Sequence, residues 1–296
     1  MSVADEHVTK NQRRDAAREK ARQLRADAAK RARRRKVGLQ AGLSLGVIVI
    51  VAAITAALAL NTPTGGTSVA PKNMASGGIL LTGTASAART PALARGEKPE
   101  PVTHRLDGKA AHIQIWLDYQ CPICQRFEAV NRERIEGLLK SGKATLEIHP
   151  VAVTDSEHND RYATRSAAAM GCVAEYRPDD FLSASTILYD NQPDEATGTG
   201  LTDKRILELF GSKGLVTDEV ETCIKGHRFT SFVSAMTHIA SRDDQLRGPR
   251  GISTPTIVVN GEVYQGSKLD GEQFGRFIET MIADAGDRGE LTFPAP

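Results

Sequence analysis

Polar and apolar positions alternate from His112 to Leu117, which predicts a strand with Ile113, Ile115 and Leu117 on one face. Cys121-Pro122 then opens a run to about Lys140 that predicts a helix. Proline suits the first helical turn, where its missing N–H has no helical partner to lose. Ala144 to Val153 predicts a second strand, so strand, helix and strand form the unit that builds a parallel pair. Residues 156–248 show no strand pattern. Five stretches there predict helices separated by Gly, Pro, Asp and Asn breaks: Arg161–Tyr176, Pro178–Asp190, Thr202–Lys213, Thr217–Lys225 and Thr230–Leu246. They form an inserted helical subdomain. Two short apolar runs then flank Asn260-Gly261, the signal for a tight hairpin. A last helix is expected over about Asp270–Ala285, leaving 286–296 as a C-terminal tail.

Upstream, Val37 to Leu60 runs 24 residues without a charge. As a helix it would measure roughly 36 Å, enough for a hydrocarbon core of about 30 Å. Residues 1–36 hold thirteen Lys/Arg against five acids, a net +8, whereas the remainder holds 25 basic and 31 acidic residues. The one-sided flank Arg33-Arg34-Arg35-Lys36 predicts a single transmembrane helix, with residues 1–36 as a basic cytoplasmic tail and everything after Leu60 outside. A cleaved signal peptide normally has a shorter leader and apolar core, so an uncleaved signal anchor in the cell membrane is expected. The basic tail would attract anionic lipid head groups, by about 1 kcal/mol per residue near the surface. No aromatic residue precedes Trp116, which argues against base stacking and a nucleic-acid partner. In residues 61–105, Gly, Pro, Ser, Thr and Ala fill 28 of 45 positions, so a flexible linker is expected, interrupted by a short strand at Gly78–Thr82.

All four cysteines, Cys121, Cys124, Cys172 and Cys223, lie on the outer side, where disulfides persist; an even count there suits two of them. Cys121-Pro122-Ile123-Cys124 directly follows a strand and opens a helix. A thiol at that position meets orphan N–H groups and the positive end of the helix dipole, which favour the thiolate, the attacking species. The second thiol, one turn along, can attack the resulting mixed disulfide. Cys121 is therefore expected to be the exposed nucleophile and Cys124 the buried resolving thiol. Zinc also uses C-x-x-C, but Cys172 and Cys223 are single and distant, so no metal and no cofactor are expected. For Cys172 and Cys223 the residues leave three readings: a buried free pair, half of a zinc site, or a disulfide. The seven His residues show no ligand spacing and read as surface or partly buried, and Trp116 reads as core. Taken alone, Thr254-Pro255 is a strand-opening proline.

Asp118-Tyr119-Gln120-Cys121-Pro122-Ile123-Cys124, together with Gly251-Ile252-Ser253-Thr254-Pro255-Thr256 leading into Ile257-Val258-Val259-Asn260-Gly261, resembles the DsbA family of thiol–disulfide oxidoreductases, above all its actinobacterial membrane-anchored members. The resemblance covers roughly residues 105–285. It implies an α/β, thioredoxin-like fold over 106–285 with a helical subdomain inserted at about 156–248. It also implies a cis Pro255 packed beside the redox pair, Thr254 offering its backbone to an extended substrate, and Cys172 paired with Cys223 in a structural disulfide. The activity implied is disulfide introduction into exported proteins, with reoxidation by a membrane partner of the DsbB or vitamin K epoxide reductase type. A reductase or isomerase, and a tethered chaperone that binds peptides without turnover, are the alternatives. Two positions depart from the pattern: Ile123 stands where the best-known oxidant has His, and Ile115 stands where many relatives carry a buried acid.

Overall fold

Two parallel strands, β4 (Ala111–Leu117) and β5 (Ala144–Pro150), lie at the centre of the domain, joined by the crossover helix α1 (Pro122–Lys140). β1 (Ile79–Gly83) runs antiparallel beside β5, with β2 (Ser86–Ala87) outside it. On the other side β8 (Thr256–Val259) pairs antiparallel with β4 and carries β9 (Glu262–Val263). The sheet order is thus β2-β1-β5-β4-β8-β9. The computed structural model describes residues 70–94, 97–99, 102–104, 110–195, 198–248, 251–285 and 291–293. The basic segment 1–36 and the apolar run 37–60 lie outside the described residues, among which no helix is long and apolar enough to cross a membrane.

Register explains why the sheet holds. Ile79 and Ile115 flank Ile148, Leu81 and Ile113 flank Leu146, and Ile257 and Val259 continue the two rows in that order. This face packs into the main core with Phe127, Ile135 and Leu139 of α1 and with Phe274, Ile278 and Met281 of α7 (Gly271–Ala285). Each such side chain contributes about 1.5–3 kcal/mol by leaving water. Phe127 and Phe274 meet edge-on at 5.3 Å. The β8–β9 turn uses Asn260 and Gly261, both at positive φ (51° and 85°), as a two-residue hairpin requires.

The opposite face of β4 is also buried, although it is polar by sequence. His112, Gln114 and Trp116 stand opposite Thr145, Glu147 and His149. His112 Nε2 and Gln114 Nε2 contact the Glu147 carboxylate at 3.1 and 3.0 Å, Ser76 donates to its other oxygen, and His149 lies 3.5 Å away. Burial opposes the charge, but His149 and His112 hold the Glu147 carboxyl well below its ordinary range. Trp116 is core, stacked on His149 at 4.4 Å. The sequence-based placement of histidines near the surface therefore fails at His112 and His149: strand alternation marks two faces, and here neighbouring elements cover both.

Between β5 and β8 sits the helical insert: α2 (Tyr162–Tyr176), a 3₁₀ turn at Pro178–Asp180, α3 (Phe181–Asp190), α4 (Asp203–Gly211), α5 (Asp218–Lys225) and α6 (Thr230–Ala240). α2 is buried almost all round. Its small residues allow this, and Gly171 lets the Phe229 ring pack where a Cβ would stand 3.1 Å away. Thr202 and Thr217 cap α4 and α5 by accepting from Arg205 N and Val220 N. A disulfide joins Cys172 of α2 to Cys223 of α5 across a separation of 51 residues. α6 stops at Ala240 instead of Leu246, because Asp243 accepts from Gln245 N and Leu246 N and turns the chain. Leu246 then joins Trp116 in a second small core.

The predicted linker is the main departure. Residues 70–94 belong to the fold: β1 and β2 pair there, and Met74, Ile79 and Leu81 are buried. Gly78 lets the His149 ring sit only 2.7 Å from where its Cβ would be. Asn73 Nδ2 donates to Ala174 O, and Arg89 pairs with Asp179 at 2.6 Å, tying this arm to the insert. A composition of small residues permits such close approach as readily as it permits flexibility. Val102–His104 (β3) and Leu291–Phe293 (β10) pair antiparallel, bringing linker and tail sequences together. Arg247–Gly248 (β6) and Gly251–Ile252 (β7) form a further short ladder that alternation is too brief to reveal.

Candidate redox site

β4 ends at Leu117, and the loop Asp118-Tyr119-Gln120 delivers Cys121 to the N-cap of α1, with ψ at 120° and Pro122 at N1. No side chain caps this helix end, so its first N–H groups face the sulfur. The Cys121 thiol is lowered from the usual range to about 6. Hydrogen bonding from the Cys124 thiol is the largest cause; burial opposes it, and the Thr254 side chain and the N–H groups of Cys124 and Ile123 add to it. Cys124 moves the other way: burial pushes it well above its ordinary range, and hydrogen bonding and charge at Cys121 push it further. Both thiols are free. The expected exposure of Cys121 is not found: both cysteines are buried, Cys121 with 7% of its surface open against 2% for Cys124, because Thr254 and Pro255 close over the helix end.

Across the loop, the Thr254–Pro255 peptide is cis, and the Thr254 carbonyl accepts from Cys121 Sγ at 3.4 Å. Pro255 is buried and lines an apolar cavity beneath α1 together with Cys124, Ile115 and Phe127. Cys121, Cys124, Thr254 and Pro255 are thus brought together. Cys172 and Cys223 are joined to each other, within the insert.

Ile115 belongs to the core, and the buried carboxyl of this site is Asp118. Its Oδ1 accepts from Gln120 N (2.8 Å), and its Oδ2 from Val153 N (2.8 Å), Thr154 N (3.0 Å) and Thr154 Oγ1 (3.0 Å). Burial raises Asp118 to about 6, and those donors pull it back. Asp118 thereby fastens the redox loop to the segment after β5.

Sequence reasoning missed the insert's side of the loop. Tyr119 donates to Ser185 Oγ at 3.2 Å, and Tyr189 donates to the Asp118 carbonyl at 3.4 Å. Gln192 Nε2 donates to the carbonyls of Tyr119 (2.9 Å) and Cys121 (3.1 Å). Gln120 donates to Pro193 O at 3.3 Å, and Gln125 to Tyr189 O at 2.9 Å. Tyr119, Gln120 and Gln125 lie beside the dithiol in sequence, whereas Ser185, Tyr189, Gln192 and Pro193 are more than 60 residues away and carry no sequence signal of their role. Among the described residues no group of His, Cys, Asp and Glu could hold a metal ion.

A dithiol on a helix N-terminus, split into a stabilised thiolate and a buried partner beside a cis-proline loop, defines a thiol–disulfide oxidoreductase of thioredoxin-like α/β fold. Comparison with known proteins gives the lineage. A sequence model described as thioredoxin matches residues 107–280, and the chain belongs to that family; within it the chain is of the DsbA type. Among solved structures it is similar to the reduced form of a disulfide bond oxidoreductase (DsbG) from Mycobacterium tuberculosis. That match has 26% identity and a TM-score of 0.51, covering 60% of this chain and 83% of that one. It is also similar to oxidised DsbA of the same organism, with 26% identity, a TM-score of 0.50, and 60% and 89% of the two chains covered. No curated protein matches the chain.

Proposed function

We propose that this protein is a membrane-anchored, extracytoplasmic enzyme that introduces disulfides into exported proteins through Cys121 and Cys124. The observation that carries the direction is the lowering of Cys121 to about 6 while Cys124 stays a thiol. A stabilised thiolate favours the reduced enzyme, and so makes the Cys121–Cys124 disulfide more oxidising than an unperturbed pair and Cys121 a better leaving group. The shift arises without a charged residue at position 123, from the Cys124 thiol, Thr254 and the helix N–H groups. A substrate thiolate attacks Cys121 Sγ and expels the Cys124 thiolate, which takes a proton. The second substrate thiolate then attacks the first substrate sulfur in the mixed disulfide, forming the substrate disulfide and releasing Cys121 as thiolate. Thr254 would align the extended substrate by β-strand addition.

The apolar run 37–60 and its basic flank support anchoring with the N-terminus cytoplasmic, near anionic head groups. A membrane partner of the DsbB or vitamin K epoxide reductase type would reoxidise the Cys121–Cys124 dithiol.

Trapping tests the proposal. In Cys124→Ala, covalent complexes with exported proteins should accumulate and dissolve in reductant, and Cys121→Ala should trap none. A reporter that works only outside the cytoplasm, fused after Pro296, should be active. A reduction potential near that of thioredoxin, with insulin reduction and no dithiol oxidation, overturns the direction. Reversible peptide binding with no trapping points to a chaperone instead.

A further inference from the structure

The contacts between α3 and the redox loop are reciprocal. Gln125, in the first turn of α1, donates to the Tyr189 carbonyl near the end of α3. Gln192, two residues beyond α3, donates back to the carbonyls of Tyr119 and Cys121. One side-chain amide nitrogen thus bridges the carbonyl before the dithiol and the carbonyl of the reactive cysteine itself. The Cys121 carbonyl also accepts the first helical bond, from Gln125 N at 3.2 Å.

We infer that Gln192 is a positioning residue for the dithiol, through which the helical insert sets the reactivity of Cys121. Two physical effects carry this. First, covalent geometry keeps the Cys121 carbonyl within a few ångström of its own sulfur, and that oxygen is the negative end of a peptide dipole. The amide hydrogens of Gln192 offset this oxygen and that of Tyr119, leaving the positive N–H ends of α1 to dominate at the sulfur. Second, Cys121 keeps the extended ψ of 120° that lays its sulfur over those N–H groups. Pro122 excludes the helical alternative but leaves the whole extended region open. Two bonds from one planar amide hold both carbonyls in a single orientation within that region. The inference rests on Cys121 being the reactive thiol, and not on the direction of electron flow.

The test is the pH profile of Cys121 alkylation in the reduced protein, without substrate, set beside thermal unfolding. Gln192→Ala removes the donors. Gln192→Met removes them while keeping the stem and most of the bulk, and serves if the alanine variant fails to fold. Gln125→Ala is the comparison, because it removes a brace to α3 without freeing either carbonyl. In both Gln192 variants alkylation should be roughly threefold to fivefold slower near pH 6 and converge with the native rate near pH 9, as one neutral hydrogen bond's worth of lost thiolate stabilisation requires. The Gln125 profile should stay in place. If the profiles of both Gln192 variants coincide with the native one while their thermal midpoints fall as in Gln125→Ala, the bonds are structural only and the inference is wrong. Slowing that persists at pH 9 reports blocked access and refutes it as well.

Discussion

Lowering Cys121 to about 6 ties the stability of the reduced protein to pH. In the unfolded chain a thiol ionises near 8.5, so between pH 6 and 8 the unfolded state holds its proton while the folded state has released it. The folded value lies below the unfolded one. The stabilisation is therefore present in full above the unfolded value and is lost as pH falls through about 6. Linkage over two pH units gives roughly 2 kcal/mol, which solvent at the open edge of the sulfur reduces to about 1–2 kcal/mol. Cys124, shifted upward, adds nothing in this window, because it stays protonated in both states. Urea unfolding of the reduced protein and of reduced Cys121→Ala, at pH 6 and pH 8, isolates the effect. The native protein should gain about 1–2 kcal/mol on the variant across that step. In the oxidised protein, where Cys121 has no proton to lose, the gain should vanish. Parallel behaviour of native and variant proteins would show that Cys121 is an ordinary thiol and that the helix end does not stabilise its anion.

Two further outcomes are expected. Graded reductant should open Cys121–Cys124 before Cys172–Cys223, and Cys172→Ser with Cys223→Ser should cost about 2–4 kcal/mol of stability in denaturant unfolding while leaving trapping by Cys121 intact. Release of all four thiols together would contradict it. Glu147→Ala should cost about 3–5 kcal/mol by removing the buried carboxylate that His112, Gln114 and Ser76 share, and the fluorescence of Trp116, the single tryptophan, should report the loosening beside His149. An unchanged unfolding midpoint would mean that the cluster is not load-sharing with the core.

Elements whose signal is local were legible in the sequence. The β4–α1–β5 unit, the Asn260-Gly261 hairpin and the insert helices depend on periodicity, proline placement and turn residues, and all but α6, which ends six residues early, stand close to their predicted spans. The dithiol was legible for the same reason, since its chemistry needs only a strand end, a helix start and two cysteines one turn apart. The arm at residues 70–94 was not legible, because Gly, Ala, Ser and Thr specify neither flexibility nor close packing until the β5 edge and the His149 ring are there to receive them. Nor were the roles of Asp118, Gln192 and Glu147. A carboxylate reads as exposed until Val153 and Thr154 arrive with their N–H groups, and Gln192 lies 71 residues from the carbonyl it holds. The sequence by itself determined where the reactive thiols sit on their strand and helix. Only the tertiary structure decided what surrounds them, because burial and hydrogen-bond partners come from segments that meet only when the chain has folded.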